Sequence, residues 1–203
     1  ERTSQIDSLK EGISYALTEK GVGTLLSLTF INNIFIMGPA IIGLPVFVKE
    51  ILKEEFIVLA YLEISMASGM IIGSVIFWAA IKRFRPVHIL LFGVIIDGLT
   101  YCALYFAQSN YVAILVLFIH GIGIPLITVA RTTLIQTTVP NKLQGRLFSM
   151  IYMSVMGTTA ISIGLTGVIL EYIGVDILFL IIGLCSSACA CIGFFSDHFT
   201  KLE

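Results

Sequence analysis

The sequence predicts an all-α membrane protein with six transmembrane helices, and three observations carry this prediction. Hydrophobic residues make up 57% of the 203 residues and charged residues only 12%, whereas a soluble domain has about 25% charged residues. Six apolar stretches each provide the roughly 20 residues that a spanning helix needs. The positive charges are also divided unevenly between the ends of these stretches. The predicted spans are 24–47, 56–81, 87–107, 111–135, 147–171 and 175–196.

The residues before the first span predict a separate element. Ser8 and Glu11 fit a capping box, in which a hydroxyl and a carboxylate three residues later each accept a free backbone amide. The apolar side chains that follow share one helical face: Leu9, Ile13, Ala16 and Leu17. We therefore expect residues 1–20 to form an amphipathic linker helix at the cytoplasmic surface, and residues 21–203 to form the six-helix bundle.

The positive charges predict the orientation of the bundle. Of the 12 Lys and Arg residues, only Lys49 and Lys53 fall on one side, and Arg131 lies within the fourth span. The other nine share the opposite side, which the positive-inside rule assigns to the cytoplasm. An even number of spans then places both ends of the chain in the cytoplasm, in the inner or plasma membrane of the cell.

Small residues and prolines predict how the helices pack. Lipid gives no hydrophobic drive between helices, so close contacts need small side chains, and proline at membrane depth bends a helix. We expect the four cysteines to be packing residues rather than a disulfide or metal site. The small-residue stripes are Ser65, Gly69 and Gly73 on the second span, Gly157, Gly164 and Gly167 on the fifth, and Gly183, Ser187 and Cys191 on the sixth. The prolines are Pro39, Pro45 and Pro125.

Three ionisable residues lie deep within the predicted spans: Glu63, Asp97 and His120. An ionised side chain at the bilayer centre costs at least about 2.5–3.5 kcal/mol, so each is a candidate for proton coupling. Asp97 and His120 are about equally far from the loop that joins the third and fourth spans. They should therefore lie at one height on neighbouring helices, as a proton relay or as a structural pair, unless the two side chains face apart. Glu63 has no such neighbour, which favours a coupling or substrate-cation site, and a permanently protonated, hydrogen-bonded carboxyl is the alternative.

Neutral polar residues in the first and fourth spans could line a cavity, and helix–helix hydrogen bonds are the alternative for them. They are Asn32, Asn33, Thr128, Thr132 and Gln136. Arg131, near the cytoplasmic end of the fourth span, could be a gate residue or could extend its guanidinium to the lipid headgroups. With His120, the cavity candidates are Asn32, Asn33, Thr128 and Gln136.

Three motifs resemble one family of carriers. Gly73 to Arg85, with the basic turn Lys82-Arg83-Phe84-Arg85, is similar to the glycine-to-basic-turn motif of the major facilitator superfamily, although Ala79 and Ala80 stand where an acidic residue is usual. The stretch 134–149, with Pro140, Gly145 and Arg146, resembles a loop of its bacterial macrolide-efflux and siderophore-export branch. Residues 44–49 also resemble that branch.

The resemblance implies that the chain is the C-terminal half, helices 7–12, of a carrier with two six-helix halves and a substrate site between them. It implies proton-coupled efflux of amphipathic small molecules such as macrolide-like drugs, with no cofactor or metal. Spans one and four would line the cavity. Spans two and five would meet the missing N-terminal half, with the Ser65–Gly73 face as the packing surface. The cytoplasmic gate residues would be Lys82, Arg83, Arg85, Arg131, Gly145 and Arg146.

Other function classes fit the sequence less well. The net charge of −1 gives no basic surface for nucleic acid, and the sequence has no phosphate-binding GxxxxGK[ST] loop for ATP. An intramembrane serine protease would need Ser68 and His120 within hydrogen-bond reach, on spans that differ from those of rhomboid enzymes. A non-transporting membrane scaffold or sensor shares the fold signature but should tolerate neutralisation of Glu63 and His120.

Overall fold

The computed structural model describes residue 12, residues 14–15 and residues 17–202. In this part of the chain all regular secondary structure is helical, and six helices are long and apolar enough to cross a membrane. They are α1 (Lys20–Leu52), α2 (Phe56–Ala80), α3 (Pro86–Tyr105), α4 (Asn110–Thr138), α5 (Asn141–Leu170) and α6 (Val175–Phe194), and the short α7 (Asp197–Thr200) follows. The predicted fold class is confirmed. The capping box at Ser8–Glu11 lies outside the described residues.

Several helices extend beyond the apolar stretches that predicted them. The helix α5 begins at Asn141, directly after Pro140, rather than at the first residue of the apolar stretch. The helix α4 begins after Ser109, whose hydroxyl accepts the Val112 amide at 3.4 Å. These ends are set by local capping and by proline, whereas hydropathy marks only the residues that match the hydrocarbon core.

The second half of α1 is wound irregularly. Two stretches, Pro39–Gly43 and Val48–Leu52, form wider π-helical turns on either side of the α-helical segment Leu44–Phe47. Proline lacks an amide hydrogen and its ring crowds the preceding turn, so Pro39 and Pro45 disturb the regular hydrogen-bond ladder. The irregular winding therefore follows from the two prolines that the sequence shows.

The small-residue stripe of α2 packs against α4 of the same chain. A side-chain carbon added at Gly69 would collide with the Phe118 carbonyl oxygen and lie 3.1 Å from the Gly121 Cα atom. Ser65 donates to the Ile114 carbonyl at 3.1 Å across the same contact. The expectation that the Ser65–Gly69–Gly73 face packs against a missing partner was therefore wrong, because α4 already covers it.

Helices α3 and α6 make a second close contact through small residues. A side-chain carbon at Gly98 would lie 2.6 Å from the Gly183 carbonyl oxygen, and one at Gly183 would lie 2.7 Å from the Cys102 amide nitrogen. Cys102 thus takes the packing role expected of it, and all four cysteines are free. Cys191 is exposed, so it does not pack in this contact.

Helices α2 and α5 are the least covered of the six. In their most apolar windows only 22% of α2 and 17% of α5 residues are buried, compared with 61% in α3. Gly157, Gly164 and Gly167 on α5 have no atoms near the place where a side chain would begin. Their stripe therefore makes no close helix contact within the described chain.

Buried polar residues form a layer at mid-height of the bundle. The buried apolar residues form two separate clusters. One contains Leu25, Leu91 and Leu134, and the other contains Phe47 and Phe179. On each helix that contributes to it, the polar layer falls between the residues of these two clusters. It comprises Asn33, Asp97, Thr100, His120, Thr158, Ser162 and Ser186.

Candidate functional site

The polar layer borders a partly open cavity of about 330 Å³. Most of its lining comes from α1 and α4, with contributions from α2, α3 and α5. Apolar side chains supply most of the wall, including Leu28, Ile36, Met37, Met66, Ile124 and Ile127. The polar and ionisable lining residues are Thr29, Asn32, Asn33, Asp97, His120, Thr128 and Arg131. The structure thus brings together five residues singled out from the sequence as cavity or coupling candidates, and Arg131 with them.

Asp97 and His120 form a contact across α3 and α4. The Asp97 Oδ1 and His120 Nδ1 atoms are 3.3 Å apart, and both side chains are almost completely buried. The predicted proximity of these two residues is therefore confirmed. Equal distance from the connecting loop predicts equal height here because the two helices are antiparallel neighbours joined by a short loop.

Thr100 contacts both members of the pair. Its hydroxyl oxygen lies 2.8 Å from the Asp97 backbone carbonyl oxygen, to which it can donate, and 2.9 Å from His120 Nδ1. His120 Nδ1 therefore faces the Thr100 hydroxyl as well as the Asp97 carboxylate. Tyr101 packs edge-on against the imidazole, with 5.2 Å between the ring centroids.

Asn32 extends this cluster to α1 and α6. Its Nδ2 donates to Asp97 Oδ2 at 3.2 Å, and its Oδ1 accepts the Ser186 hydroxyl at 2.6 Å. The Asp97 carboxylate consequently joins α3 to α1 and α4 directly, and to α6 only through Asn32. A change in the charge of Asp97 would alter the first two contacts.

Asn33 has a different role from its neighbour. Its Nδ2 lies 2.6 Å from Thr158 Oγ1, 3.1 Å from Thr159 Oγ1 and 3.1 Å from the Val155 carbonyl oxygen. Ser162 donates to the Ile34 carbonyl at 2.5 Å nearby. Asn33 therefore joins α1 to α5, and its side chain is only 7% exposed. It borders the cavity mainly as a structural residue.

Thr100 and Ser186 belong to the cluster but were missed in the sequence. Hydroxyl residues are frequent in membrane helices because they bond to their own backbone, so each alone carries little signal. The three-residue spacing of Asp97 and Thr100 on α3 was the available clue, since such residues lie on one face of a helix. No comparable clue in the sequence pointed to Ser186, because its partner Asn32 lies 154 residues away.

Two predicted residues lie away from the cavity. Gln136 is exposed at the end of α4, and its backbone carbonyl accepts Gln144 Nε2 at 3.0 Å. Gln136 is therefore not among the residues that line this cavity, and its role in a substrate cavity stays a prediction. Glu63 is also exposed, on a face of α2 that does not border the cavity.

The serine of the protease alternative is separated from its histidine. Ser68 is exposed, and its hydroxyl donates to the Ile64 carbonyl at 2.8 Å. His120 Nδ1 instead contacts Thr100 and Asp97. No contact within the described residues joins Ser68 to His120, so this geometry gives no support for a catalytic pair.

The basic residues of the α2–α3 turn contact their surroundings in different ways. The Lys82 Nζ atom lies 3.3 Å from the centre of the Trp78 ring, a cation–π contact. Arg85 donates to the Thr200 carbonyl at 3.2 Å, which ties the turn to α7, and Arg83 is exposed. On α5, Gly145 has open space around it and Arg146 is half-buried.

Comparison with known proteins assigns the family. The family model described as Major Facilitator Superfamily matches residues 12–201, which is nearly the whole chain. The chain belongs to the Major Facilitator Superfamily. No curated protein matches it. As a member of the Major Facilitator Superfamily it is a multi-pass membrane transporter rather than an enzyme, and it works in a lipid bilayer on a small-molecule substrate.

Proposed function

We propose that this chain is the C-terminal half, helices 7–12, of a proton-coupled exporter of amphipathic small molecules that works by alternating access. The missing partner is an N-terminal six-helix half. The carrier lies in the inner or plasma membrane with both ends of this chain in the cytoplasm. Macrolide-like drugs are the substrate class that the resemblance implies.

The Asp97–His120 pair carries this proposal. A buried acid and base in contact can exist as an ion pair or as two neutral groups that differ in where the proton lies. Their neighbours on the packed helices are the Thr100 hydroxyl, the Asn32 amide and the Tyr101 ring. Because Asp97 borders the cavity and bonds to α1, a proton that binds there changes both the cavity wall and the contact between helices.

The cavity supports the choice of substrate size and chemistry. Its volume of about 330 Å³ falls at the small end of the usual range for ligand pockets, about 300–1,000 Å³, and a facing half would enlarge it. The wall is mostly apolar with few polar groups. That combination suits an amphipathic molecule.

Glu63 is a second coupling site in this proposal. Ala67 and Ser74, four and eleven residues further along α2, share its side of the helix, and both are small and exposed. Ile64 and Ile71, on the neighbouring exposed side, are large and apolar as lipid contact requires. The side with Glu63 would face the missing half rather than lipid.

The test is accumulation of a macrolide and of two amphipathic fluorescent dyes, one cationic and one anionic, in cells that express the protein at its natural length. The variants are Asp97→Asn, His120→Gln and Glu63→Gln, each with and without a protonophore. We expect export that the protonophore abolishes and that Asp97→Asn reduces at least about tenfold. Export that survives Asp97→Asn and His120→Gln would refute the coupling role of the pair. Proton coupling would then have to involve Glu63 or the other half.

A membrane scaffold or sensor is the outcome that would replace transport. In that case none of these compounds would be exported, and the biological activity of the protein would tolerate Glu63→Gln and His120→Gln. A direct control is uptake in proteoliposomes with an imposed pH gradient, which removes all other carriers of the cell.

A further inference from the structure

We propose that the cavity recognises amphipathic anions, and that Arg131 binds their carboxylate or other anionic oxygen group. This assignment rests on the proposed transport function and narrows its substrate class. It concerns charge, which the class of amphipathic small molecules leaves open. The juxtaposition behind it is a guanidinium on the cavity wall with no carboxylate beside it among the described residues.

Arg131 lies in the wall of the cavity, one helical turn from Thr128. Its side chain is half-buried, and no hydrogen bond or ion pair of its side chain occurs among residues 17–202. A guanidinium remains protonated in proteins, so it cannot lose its charge to relieve desolvation. An unpaired charge at membrane depth is costly, and its position in the wall offers that charge to whatever enters the cavity.

The other charged groups of the wall are already partnered. Within the part of the chain that the structure describes, Asp97 is the one acidic residue that borders the cavity. It is 3% exposed, and its two oxygens contact His120 and Asn32. A cationic ligand would therefore find no free carboxylate in the described wall, whereas an anion would find an unoccupied donor fork of the kind that binds carboxylates in bidentate fashion.

The rest of the wall defines the remainder of the ligand. On α4, Ile124 and Ile127 precede Arg131 by one to two turns, and Ile36 and Met37 lie on α1. A ligand with an anionic head at Arg131 would place an apolar body against these side chains. Thr128 uses its hydroxyl hydrogen on the Ile124 carbonyl at 2.9 Å, so it supplies no donor that could replace the guanidinium.

The test uses the purified protein at natural length and three probes on one skeleton: a dansyl-labelled alkyl carboxylate, its primary amide and its amine. Binding is followed by dansyl fluorescence in detergent, and transport in vesicles of phosphatidylcholine with or without phosphatidylglycerol. The variants are Arg131→Gln, which removes the charge, and Arg131→Lys, which keeps it. Lys142→Gln removes a charge from the exposed start of α5 and serves as the matched control.

We expect the natural protein to bind the carboxylate at least about tenfold more tightly than the amide, as one charge-assisted hydrogen bond provides. Arg131→Gln should remove this preference and leave amide binding unchanged, which also shows that the variant is folded. Arg131→Lys should retain a weaker preference, and Lys142→Gln the full one. A preference that survives Arg131→Gln, or equal binding of all three probes, would overturn the assignment.

Two further outcomes separate this inference from the transport function and from lipid. Carboxylate binding without transport would leave the anion site standing and refute the proposed export. Transport of all three probes without charge preference would support the proposed export and refute the anion site at Arg131. If phosphatidylglycerol abolishes the advantage of the carboxylate in the natural protein, the bound anion is a lipid headgroup and the substrate assignment is wrong.

Discussion

At the scale of single residues, Asn32 and Asn33 show that adjacent polar side chains in one helix serve different purposes. Successive residues of a helix point about 100° apart, so the two amides meet different neighbours. Asn32 contacts the carboxylate of Asp97 and Ser186, and Asn33 contacts three oxygens of α5. Only Asn32 is therefore placed to respond to a proton on Asp97.

Asn33→Ala should lower the stability of the protein without abolishing its response to pH. The change removes three contacts and leaves Thr158 and Thr159 short of one partner. Hydrogen bonds between membrane helices average about 0.6 kcal/mol with a maximum near 1.7, so we expect a loss of about 1–2 kcal/mol. Thermal unfolding in detergent measures it.

Asn110→Ala is the matched control for this measurement. Asn110 is half-buried at the start of α4 and makes one side-chain bond, to Glu54 Oε1 at 2.8 Å. Its loss should cost under about 0.5 kcal/mol. Equal destabilisation by the two substitutions would contradict the structural role that we give to Asn33.

The sequence predicts some residue contacts and leaves others open for a physical reason. The Asp97–His120 contact is predictable because a short loop fixes the heights of two antiparallel helices. The contacts of Asn32 with Ser186 and of Asn33 with Thr158 are not, because these partners lie on α6 and α5, more than 120 residues away. No periodicity within one helix states how two distant helices are rotated against each other.

At the scale of helices, the contact of α2 with α4 illustrates what a small-residue stripe can and cannot tell. The stripe correctly predicts that another backbone approaches α2 closely at Gly69 and Gly73. It does not identify that backbone, since any helix of suitable shape satisfies the same pattern. The covering helix is α4, whose Gly121 meets the Met66 carbonyl oxygen from the opposite side.

Gly69→Ala should therefore destabilise the bundle although it adds only a methyl group. Its new carbon would collide with the Phe118 carbonyl oxygen and lie 3.1 Å from Gly121 Cα, and backbone atoms cannot move aside cheaply. Overpacking of this kind costs about 1–3 kcal/mol. The measurement is the unfolding temperature of the purified protein in detergent.

Ser68→Ala provides the control on the same helix. Ser68 is exposed and bonds only to the carbonyl of Ile64 in its own helix, so the substitution should change stability by less than about 0.5 kcal/mol. If Gly69→Ala were equally harmless, the close approach of α2 and α4 would not exist in the folded protein.

At the scale of the whole molecule, the uneven coverage of the helices indicates which sides remain open. Helix α3 is well buried, whereas α2 and α5 expose most of their residues. Lipid contact explains exposed isoleucine and valine, but it does not explain a run of glycines with empty space around them. We therefore propose that the exposed stripe of α5, defined by Gly157, Gly164 and Gly167, is the surface against which a second six-helix half packs.

Of the predictions about the surface that meets a second half, the structure agrees with one and contradicts another. The resemblance names α2 and α5 as the helices of the seam, and their exposure agrees with that. The particular face of α2 was wrong, because the Ser65–Gly73 stripe is used within the chain. Hydropathy shows that a helix spans the membrane, but it does not distinguish a face that meets lipid from one that meets another helix bundle.

Gly157→Leu and Gly164→Leu should impair transport by the natural-length protein if the α5 stripe packs against a second six-helix half. Each substitution fills space that is open in this chain, so a loss can arise only from something packed there. We expect transport to fall at least about fivefold in proteoliposomes, whereas Cys191→Leu, at an exposed position of α6, should leave it unchanged. A bulky spectroscopic label on Gly157→Cys should also be immobilised, because helix packing restricts its motion. Full transport by both leucine variants, with a freely mobile label, would mean that the stripe faces lipid and that the second half covers another surface.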